Sequence, residues 1–425
     1  MDEKVVLIGA GSAMFTRGLV GDMVRSGWEG DLALVDVDAG ALETARALAA
    51  KSIQAMGSPL KLNATTDRRQ ALRDATLVIC TIAVGGRRAW EKDVFIPRKH
   101  GIYQPVGDSV MPGGTSRALR MVPAMVAIAK DVLELAPGAL FFNYANPMSV
   151  ICRAVRKATG AEMVGLCHGV FHVGAYLAEL LGVDKTKLRY TACGMNHLTW
   201  FTDVRADGVD LMPKLKGLAR EDNPFTWDLL KLFGAFPAVL DRHITEFFPH
   251  MNCREGGYYG KTLGVDAFSF EKTIKLGDDL FERMKQEALS TTPTPVEKTG
   301  GEHEQVVEIV ESVRRESGAI YSVNLPNQGQ IPNLPRDVVV EGPAAAVAGG
   351  LSPLALKPLP SGVAGTLATR FLWAETTAEA ALEGNRDKFV QALLLDGSVQ
   401  TVAGARELAD ELLAAHAEHL PQFKA

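Results

Sequence analysis

The sequence predicts an α/β protein, a doubly wound parallel sheet followed by a mixed, mostly helical second lobe. Three observations carry this. The apolar run "KVVLI" (4–8) meets the glycines of "GAGS" (9–12). Apolar runs of strand length then alternate with helical patterns as far as residue 147, the order that builds βαβ units with right-handed crossovers. After about residue 195 the alternation stops and long amphipathic stretches take over.

Each element has its own signal. Residues 4–12 read as a strand entering a tight turn, because an apolar run without polar alternation suits a strand covered on both faces. A helix over 15–26 and a second strand over 31–38 follow. "ATLVICTIA" (75–83) and "ALFFNYANP" (139–147) are strands that end in polar loops. Between them Leu119, Val122, Val126, Ala129 and Leu133 recur at helical spacing and mark one buried face. In the second half "LTWFTDV" (198–204) is strand-like, 303–316, 363–383 and 386–415 are amphipathic, and "NLPNQGQIPNLP" (324–335) is a structured loop. The expected division is one domain over 1–195 and a second over 196–425.

Of the 425 residues, 47% are apolar, enough for a large core in two lobes. The net formal charge is -5 and no block of lysine or arginine exists, so neither nucleic acid nor an anionic membrane is an expected partner. The start "MDEKVVLIGAG" places acids before a short apolar run, unlike a signal peptide. No run approaches the ~18 apolar residues that a spanning helix needs. The five cysteines, Cys80, Cys152, Cys167, Cys193 and Cys253, are sparse and odd in number. That fits a reducing cytoplasm better than a disulfide framework.

Gly9, Gly11 and Ser12 lie where a strand would give way to a helix. Glycines there let the backbone approach a pyrophosphate, which then rests on the helix N-terminus in a Rossmann-like site. Met14 replaces the third glycine of the usual fingerprint. Asp36 closes the next strand, where a carboxylate accepts from ribose hydroxyls and disfavours a 2′-phosphate, pointing to NAD rather than NADP. An ordinary strand–turn–helix with a solvated aspartate would have the same sequence pattern. "NYANPM" (143–148) ends another strand at the ligand side of such sheets. Asn146 there could meet the nicotinamide ribose and a substrate hydroxyl, or simply precede proline in a stiff turn. "VGGRRAW" (84–90) and "GDSVMPGGTSRALR" (107–120) could floor a pocket, although arginines in such loops usually face water.

Cys167 in "CHG" and His197 in "GMNH" leave three readings open. One cysteine and one histidine are too few for a structural zinc site, but an open site can leave positions for substrate oxygens. A small buried thiol and a satisfied core histidine would look the same. A thiolate nucleophile beside His168 is the third reading.

Taken together, these segments resemble the NAD- and metal-dependent glycosidases of glycoside hydrolase family 4. The matching pieces are "GAGS" with Phe15, "IPRKHGI" (96–102), "GGTSRALR" (113–120), "NYANPM", "CHG", "GMNH", "RHITEFFPH" (242–250) and "VNLPNQGQIPNLPRDVVVEGP" (323–343). They run in family order over essentially the whole chain. The resemblance implies that Gly9, Gly11, Ser12, Phe15, Asp36 and Asn146 bind NAD. It implies that Cys167 and His197 hold a divalent metal, usually manganese, and that Asn146, His168 and Asn196 touch the sugar or position it. The implied reaction oxidises C3 with NAD, removes the acidified C2 proton, eliminates the aglycone, adds water and returns the hydride. Members differ in the base, tyrosine or aspartate, and "GGYYGKTLGVDAF" (256–268) offers Tyr258, Tyr259 or Asp266. Either tyrosine could equally be a packed aromatic with a bonded hydroxyl. Manganese prefers oxygen and nitrogen, so a thiolate is a soft and oxidisable partner for it.

The resemblance also bears on substrate and assembly. "CH" in place of "CD" or "CN" is similar to members acting on unphosphorylated sugars, and "CHG" to the α-glucuronidase-type group. Gly169 would leave room for a C6 carboxylate, or permit a tight turn, and Arg254 and Lys261 are nearby cations. An α-galactosidase or α-glucosidase of the same family is the alternative. A homodimer or homotetramer is implied. Two other classes remain: a 2-hydroxy-acid dehydrogenase of the related lactate/malate dehydrogenase-like fold, and a non-catalytic NAD-binding regulator.

Overall fold

A computed structural model describes residues 1–218, 220–252, 256–291 and 305–424. Its first half is a parallel sheet of six strands: β1 (Asp2–Ile8), β2 (Glu29–Val35), β3 (Lys61–Thr65), β4 (Leu77–Cys80), β5 (Leu140–Asn143) and β6 (Met163–Gly165). Their order is 3-2-1-4-5-6, that of a Rossmann dinucleotide-binding sheet. Alternate β1 side chains enter separate cores. Val6 and Ile8 face one, Val5 and Leu7 the other, which is why the strand reads as an unbroken apolar run.

The sheet does not end there. β7 (Leu188–Met195) and β8 (Leu198–Ala206) form an antiparallel hairpin, with β9 (Val209–Asp210) and β10 (Phe236–Pro237) beside β8. β11 (Gly257–Tyr258) and β12 (Lys261–Thr262) make a separate small hairpin. β13 (Ile320–Pro326), β14 (Val339–Val347) and β15 (Gly350–Pro353) come from the second half, and β13 and β14 lie between β6 and β7. The division expected between 195 and 196 therefore falls at the turn of the β7–β8 hairpin, within one continuous sheet.

The helices refine three sequence expectations. Both arginine-bearing segments enter helices, Gly86–Lys99 and Met111–Leu135. In the second of these, Leu119, Val122, Val126 and Ala129 are buried as expected, but Leu133 is 40% exposed near its end. The stretch 386–415 is two helices, Arg386–Asp396 and Val402–Ala415, divided at Gly397 with φ +85. In the loop after β13 the Asn327 amide donates to the carbonyls of Ile331, Leu334 and Pro335, so side-chain bonds organise this segment. No described helix is long and apolar enough to cross a membrane.

Arg87 and Arg88 face outward and pair with Asp278. Arg120 does not. It is 2% exposed and bonds the fully buried Asp93, one contact at 2.9 Å, while its Nε donates to the Val84 carbonyl. His416 approaches the same carboxylate at 2.9 Å, so Asp93 ties the two helices to the C-terminal segment. Burial alone would raise the Asp93 carboxyl, but Arg120 and His416 outweigh it and hold it below the usual range. Arg120→Met leaves a buried carboxylate without its main partner, an effect of about 3–5 kcal/mol. The urea midpoint is expected to fall accordingly, and an unchanged midpoint would contradict this account. The depressed folded pKa means that the Asp93 contribution is present above the unfolded carboxylate pKa and is lost as pH falls through the folded one.

Candidate active site

Because β1, β2, β4, β5 and β6 are parallel, the turns after them emerge at one edge of the sheet. Gly9, with φ +93, donates to the Val35 carbonyl at 2.8 Å, and Thr81 Oγ1 donates to the Gly9 carbonyl at 3.0 Å. A Cβ on Gly9 would lie 2.7 Å from the Ile82 nitrogen. Gly11 N donates to Asp36 Oδ2 at 2.7 Å, and Asp36 Oδ1 accepts from Asp38 N at 2.9 Å. Each carboxylate oxygen keeps a lone pair for a ribose hydroxyl. The helix Thr16–Arg25 has no side-chain cap, so its first N–H groups suit a pyrophosphate. Ser12 lies in the turn, Met14 is 53% exposed beside it, and the Phe15 ring packs against Tyr144 at 5.2 Å, tilted by 44°.

A second constellation forms around His197. One ligand atom each from Asp108, His197 and His243 lies within 4.8 Å of the others, and this is the only such group of three among the described residues. Ser109 Oγ donates to Asp108 Oδ1 at 2.7 Å and sits 2.8 Å from His197 Nδ1. A hydroxyl has one proton. With that proton on Asp108, His197 Nδ1–H is the donor to Ser109, and the Nε2 lone pair is left open for a cation. The His243 ring lies 4.6 Å from that of His197, and its Nδ1 is buried without a hydrogen-bond partner. Burial, aided by His197, lowers the His243 pKa. Burial would raise Asp108, yet His197, His243 and Arg117 hold it low. Asn146 joins the two constellations. Its Nδ2 donates to Asp108 Oδ2 at 3.2 Å, its Oδ1 is buried and unpartnered, and Arg117 Nε donates to its carbonyl at 3.0 Å.

A buried carboxyl braces this arrangement. Glu246 Oε1 accepts the N–H groups of Val106 and Gly107, each at 2.9 Å, joining the segment of His243 to the loop of Asp108. Burial pushes its pKa up to about 8. Asn196 is buried behind His197, where its amide meets Glu341 at 3.5 Å. His197 itself has φ +63.

The remaining sequence candidates are not among the three grouped around His197. Cys167 follows β6, half-buried, with Gly169 N 3.4 Å from its sulfur, and stands outside the group of three. His168 is half-buried beside it, its pKa brought down to about 4 by burial, His197 and His172. A Cβ on Gly169 would meet the Ala238 carbonyl at 3.2 Å and Val239 at 3.3 Å, so glycine here answers to close packing rather than open room. Tyr258 donates its hydroxyl to Asp241, and Tyr259 to Asp228 at 2.9 Å. Burial and these carboxylates push both phenols up, opposite to what a base needs. Exposed Asp266 accepts from Thr262 N. Asp266 is not one of the three residues grouped around His197. Lys261 is exposed, and Arg254 lies outside the described residues, as does Cys253. Sequence reasoning missed Asp108, His243 and Glu246. Their one signal was position, since the segments "GDSVMPGG" and "RHITEFFPH" contain them.

A sequence model of the family 4 glycosyl hydrolases matches residues 4–183, and that of the family's C-terminal domain matches 192–399. The chain belongs to glycosyl hydrolase family 4. It is 32% identical to an α-galactosidase of Rhizobium meliloti, over 99% of this chain and 89% of that protein. It is also 32% identical to an α-galacturonidase of Bacillus subtilis, over 93% of each. A 6-phospho-β-glucosidase of Thermotoga maritima, solved with manganese, NAD+ and glucose 6-phosphate, superposes with TM-score 0.83 at 22% identity, covering 98% of each chain. The expected likeness to malate dehydrogenase is one of fold: the Aeropyrum pernix enzyme gives TM-score 0.53 at 15% identity over 88% of this chain and 97% of that one. The family 4 enzyme is thus a glycoside hydrolase, which replaces the dehydrogenase and regulator alternatives.

Proposed function

We propose that this enzyme cleaves an unphosphorylated α-glycoside, with α-uronides as the preferred class, using NAD and a divalent metal. The observation that carries this is Asn146. It leaves the nucleotide-binding edge of the sheet just past β5 and bonds Asp108 of the His197 group, so cofactor and metal positions share one side chain. When bound, NAD would supply a hydride acceptor and donor for the sugar, and a divalent metal would supply Lewis-acid stabilisation of the charge that develops on sugar oxygens. The protein's part is placement. Gly9, Gly11 and the uncapped helix receive the pyrophosphate, Asp36 the ribose, and Phe15 packs behind the turn. The unpartnered Asn146 Oδ1 accepts a hydroxyl of ribose or sugar. Ser109 fixes the tautomer of His197, which the family resemblance pairs with Cys167 as metal ligand. His168 meets the sugar as a neutral imidazole, and Asn196 holds the turn that carries His197.

His168 stands where phosphoglycosidase-type members carry aspartate, which supports an unphosphorylated substrate. A uronate requires a cation or several amides, and Arg117 and Arg242 stand beside the group, Arg117 on the Asn146 carbonyl and Arg242 next to His243 in sequence. The α-galactosidase similarity favours a neutral α-galactoside as the second reading.

The test is aglycone release from p-nitrophenyl α-glucuronide, α-galacturonide, α-galactoside and α-glucoside, with manganese, NAD and thiol. Expected is turnover of an α-uronide that stops on chelation or on stripping NAD. Efficient cleavage of neutral glycosides alone would overturn the uronide assignment. Turnover indifferent to chelator and NAD would overturn the mechanism.

A further inference from the structure

We propose that Arg370 and Asp396 are positioning residues for the reaction: this buried ion pair fixes the loop that presents Ser109 to His197 and the segment that carries His243. The proposal rests on the metal-dependent reading above and deepens it.

Arg370 lies on the helix Ser361–Glu383, and Asp396 closes the helix Arg386–Asp396. Both side chains are buried, and Arg370 Nη1 donates to Asp396 Oδ1 at 2.9 Å. The same oxygen accepts the Met111 N–H at 2.9 Å. Met111 opens the helix Met111–Leu135, and the preceding Val110 supplies no side-chain cap, so Asp396 caps it from 285 residues away. The guanidinium has a second prong. Its Nη2 donates to the Phe247 carbonyl at 2.8 Å, one residue past Glu246 and four past His243. One ion pair therefore reaches both segments that converge on His197.

The geometry at Met111 shows what is being held. Its φ is +59, a left-handed conformation that a residue with a side chain keeps only where its surroundings impose it. Its carbonyl is held as well. It accepts from Thr115 Oγ1 at 2.7 Å, and that hydroxyl accepts from Trp373 Nε1 at 3.1 Å, on the same helix as Arg370. Two residues before Met111, Ser109 Oγ stands 2.8 Å from His197 Nδ1. A shift of Met111 passes along the chain to that bond, and such outer partners set the orientation of a ligating histidine. A buried ion pair is weak evidence for stability, because well-packed apolar residues of similar volume often serve as well. Apolar residues cannot supply an acceptor for Met111 or a donor for Phe247.

The test compares three full-length variants with wild type. Arg370→Met/Asp396→Leu removes charge and hydrogen bonds together. Arg370→Met/Asp396→Asn keeps an amide oxygen for Met111. Arg370→Lys keeps the charge opposite Asp396 but not the fork. Each is read for melting temperature, kcat and NAD affinity. Manganese affinity of the chelator-stripped, NAD-loaded enzyme is read from the electron paramagnetic resonance signal of free manganese. The leucine variant is expected to melt near wild type and to bind NAD normally. Its kcat should fall by about 10²-fold, the effect of a misplacement of about 1 Å, and its manganese affinity by about tenfold. The asparagine variant should recover most of both losses at a similar melting temperature. Wild-type kcat and manganese affinity in the leucine variant, or an asparagine variant no better than it, would overturn the positioning role. NAD affinity falling in step with kcat would also overturn it, as a general loosening of the fold. If the leucine variant fails to fold, Arg370→Lys decides: losses of about tenfold in kcat and manganese affinity support the role, and wild-type values overturn it. A wild type that binds no manganese, with turnover indifferent to chelator, would overturn the metal-dependent reading itself.

Discussion

His197→Asn is expected to lower kcat by about 10³-fold, the scale on which a group stabilising developing charge is lost, while NAD still binds. The substitution isolates the imidazole. His197 sits at φ +63, a left-handed position that asparagine tolerates well among non-glycine residues. Alanine there would confound chemistry with backbone strain. Asparagine removes the imidazole that lies in the group with Asp108 and His243 and whose Nδ1 is bonded to Ser109. The glycine turn after β1 lies elsewhere on the sheet and is untouched. Nucleotide fluorescence should therefore report wild-type NAD affinity, while aglycone release collapses and excess manganese restores little of it. A kcat within about tenfold of wild type would show that His197 is not at the reacting centre.

Gly9→Val should abolish NAD binding and destabilise the fold together. Its φ of +93 lies outside the range open to valine, and the nearest atoms to a Cβ are backbone, Ile82 N at 2.7 Å and the Thr81 carbonyl carbon at 2.8 Å. Those atoms follow directly on β4, whose register with β1 runs from Val5–Leu77 to Ile8–Cys80. Relief would require parting two paired strands. Displacement of a binding backbone by about 1 Å costs on the order of 10²-fold, so NAD affinity should fall at least that far. Gly138→Ala is the control, because its Cβ would meet open space and its φ is ordinary. It should melt and bind NAD as wild type does. Wild-type NAD affinity in Gly9→Val would remove the turn from the cofactor site.

The legible parts of this protein share a property: their signal is local. β1, β2, β4 and β5 are buried on both faces and read as apolar runs, and the glycine turn must follow such a run for its geometry to work. β3 and β6 escaped notice for the opposite reason. β3, "KLNAT", has no buried residue, and β6 has three residues in all. β3 has no buried face to mark, and β6 is too short to show a period.

β13 and β14 show the limit in another way. The pattern "NLPNQGQIPNLP" announces a loop, and its first residues, Asn324 to Pro326, are nonetheless paired with β14. Proline and asparagine disfavour strands, but the antiparallel partner and the neighbour β6 override that preference.

By itself the sequence determined the Rossmann-like first half, the glycine turn after β1, the family, and His197 as a residue of interest, because each rests on residues adjacent in the chain. The tertiary structure alone decided what surrounds His197. Asp108, His197 and His243 sit on a loop, a hairpin turn and a short helix far apart in sequence, and no periodicity links such positions. The structure likewise bound Tyr258 and Tyr259 to Asp241 and Asp228, contacts that no local pattern announces. Side-chain chemistry is written residue by residue, whereas the convergence of three donors on one point is a property of strand order and loop path.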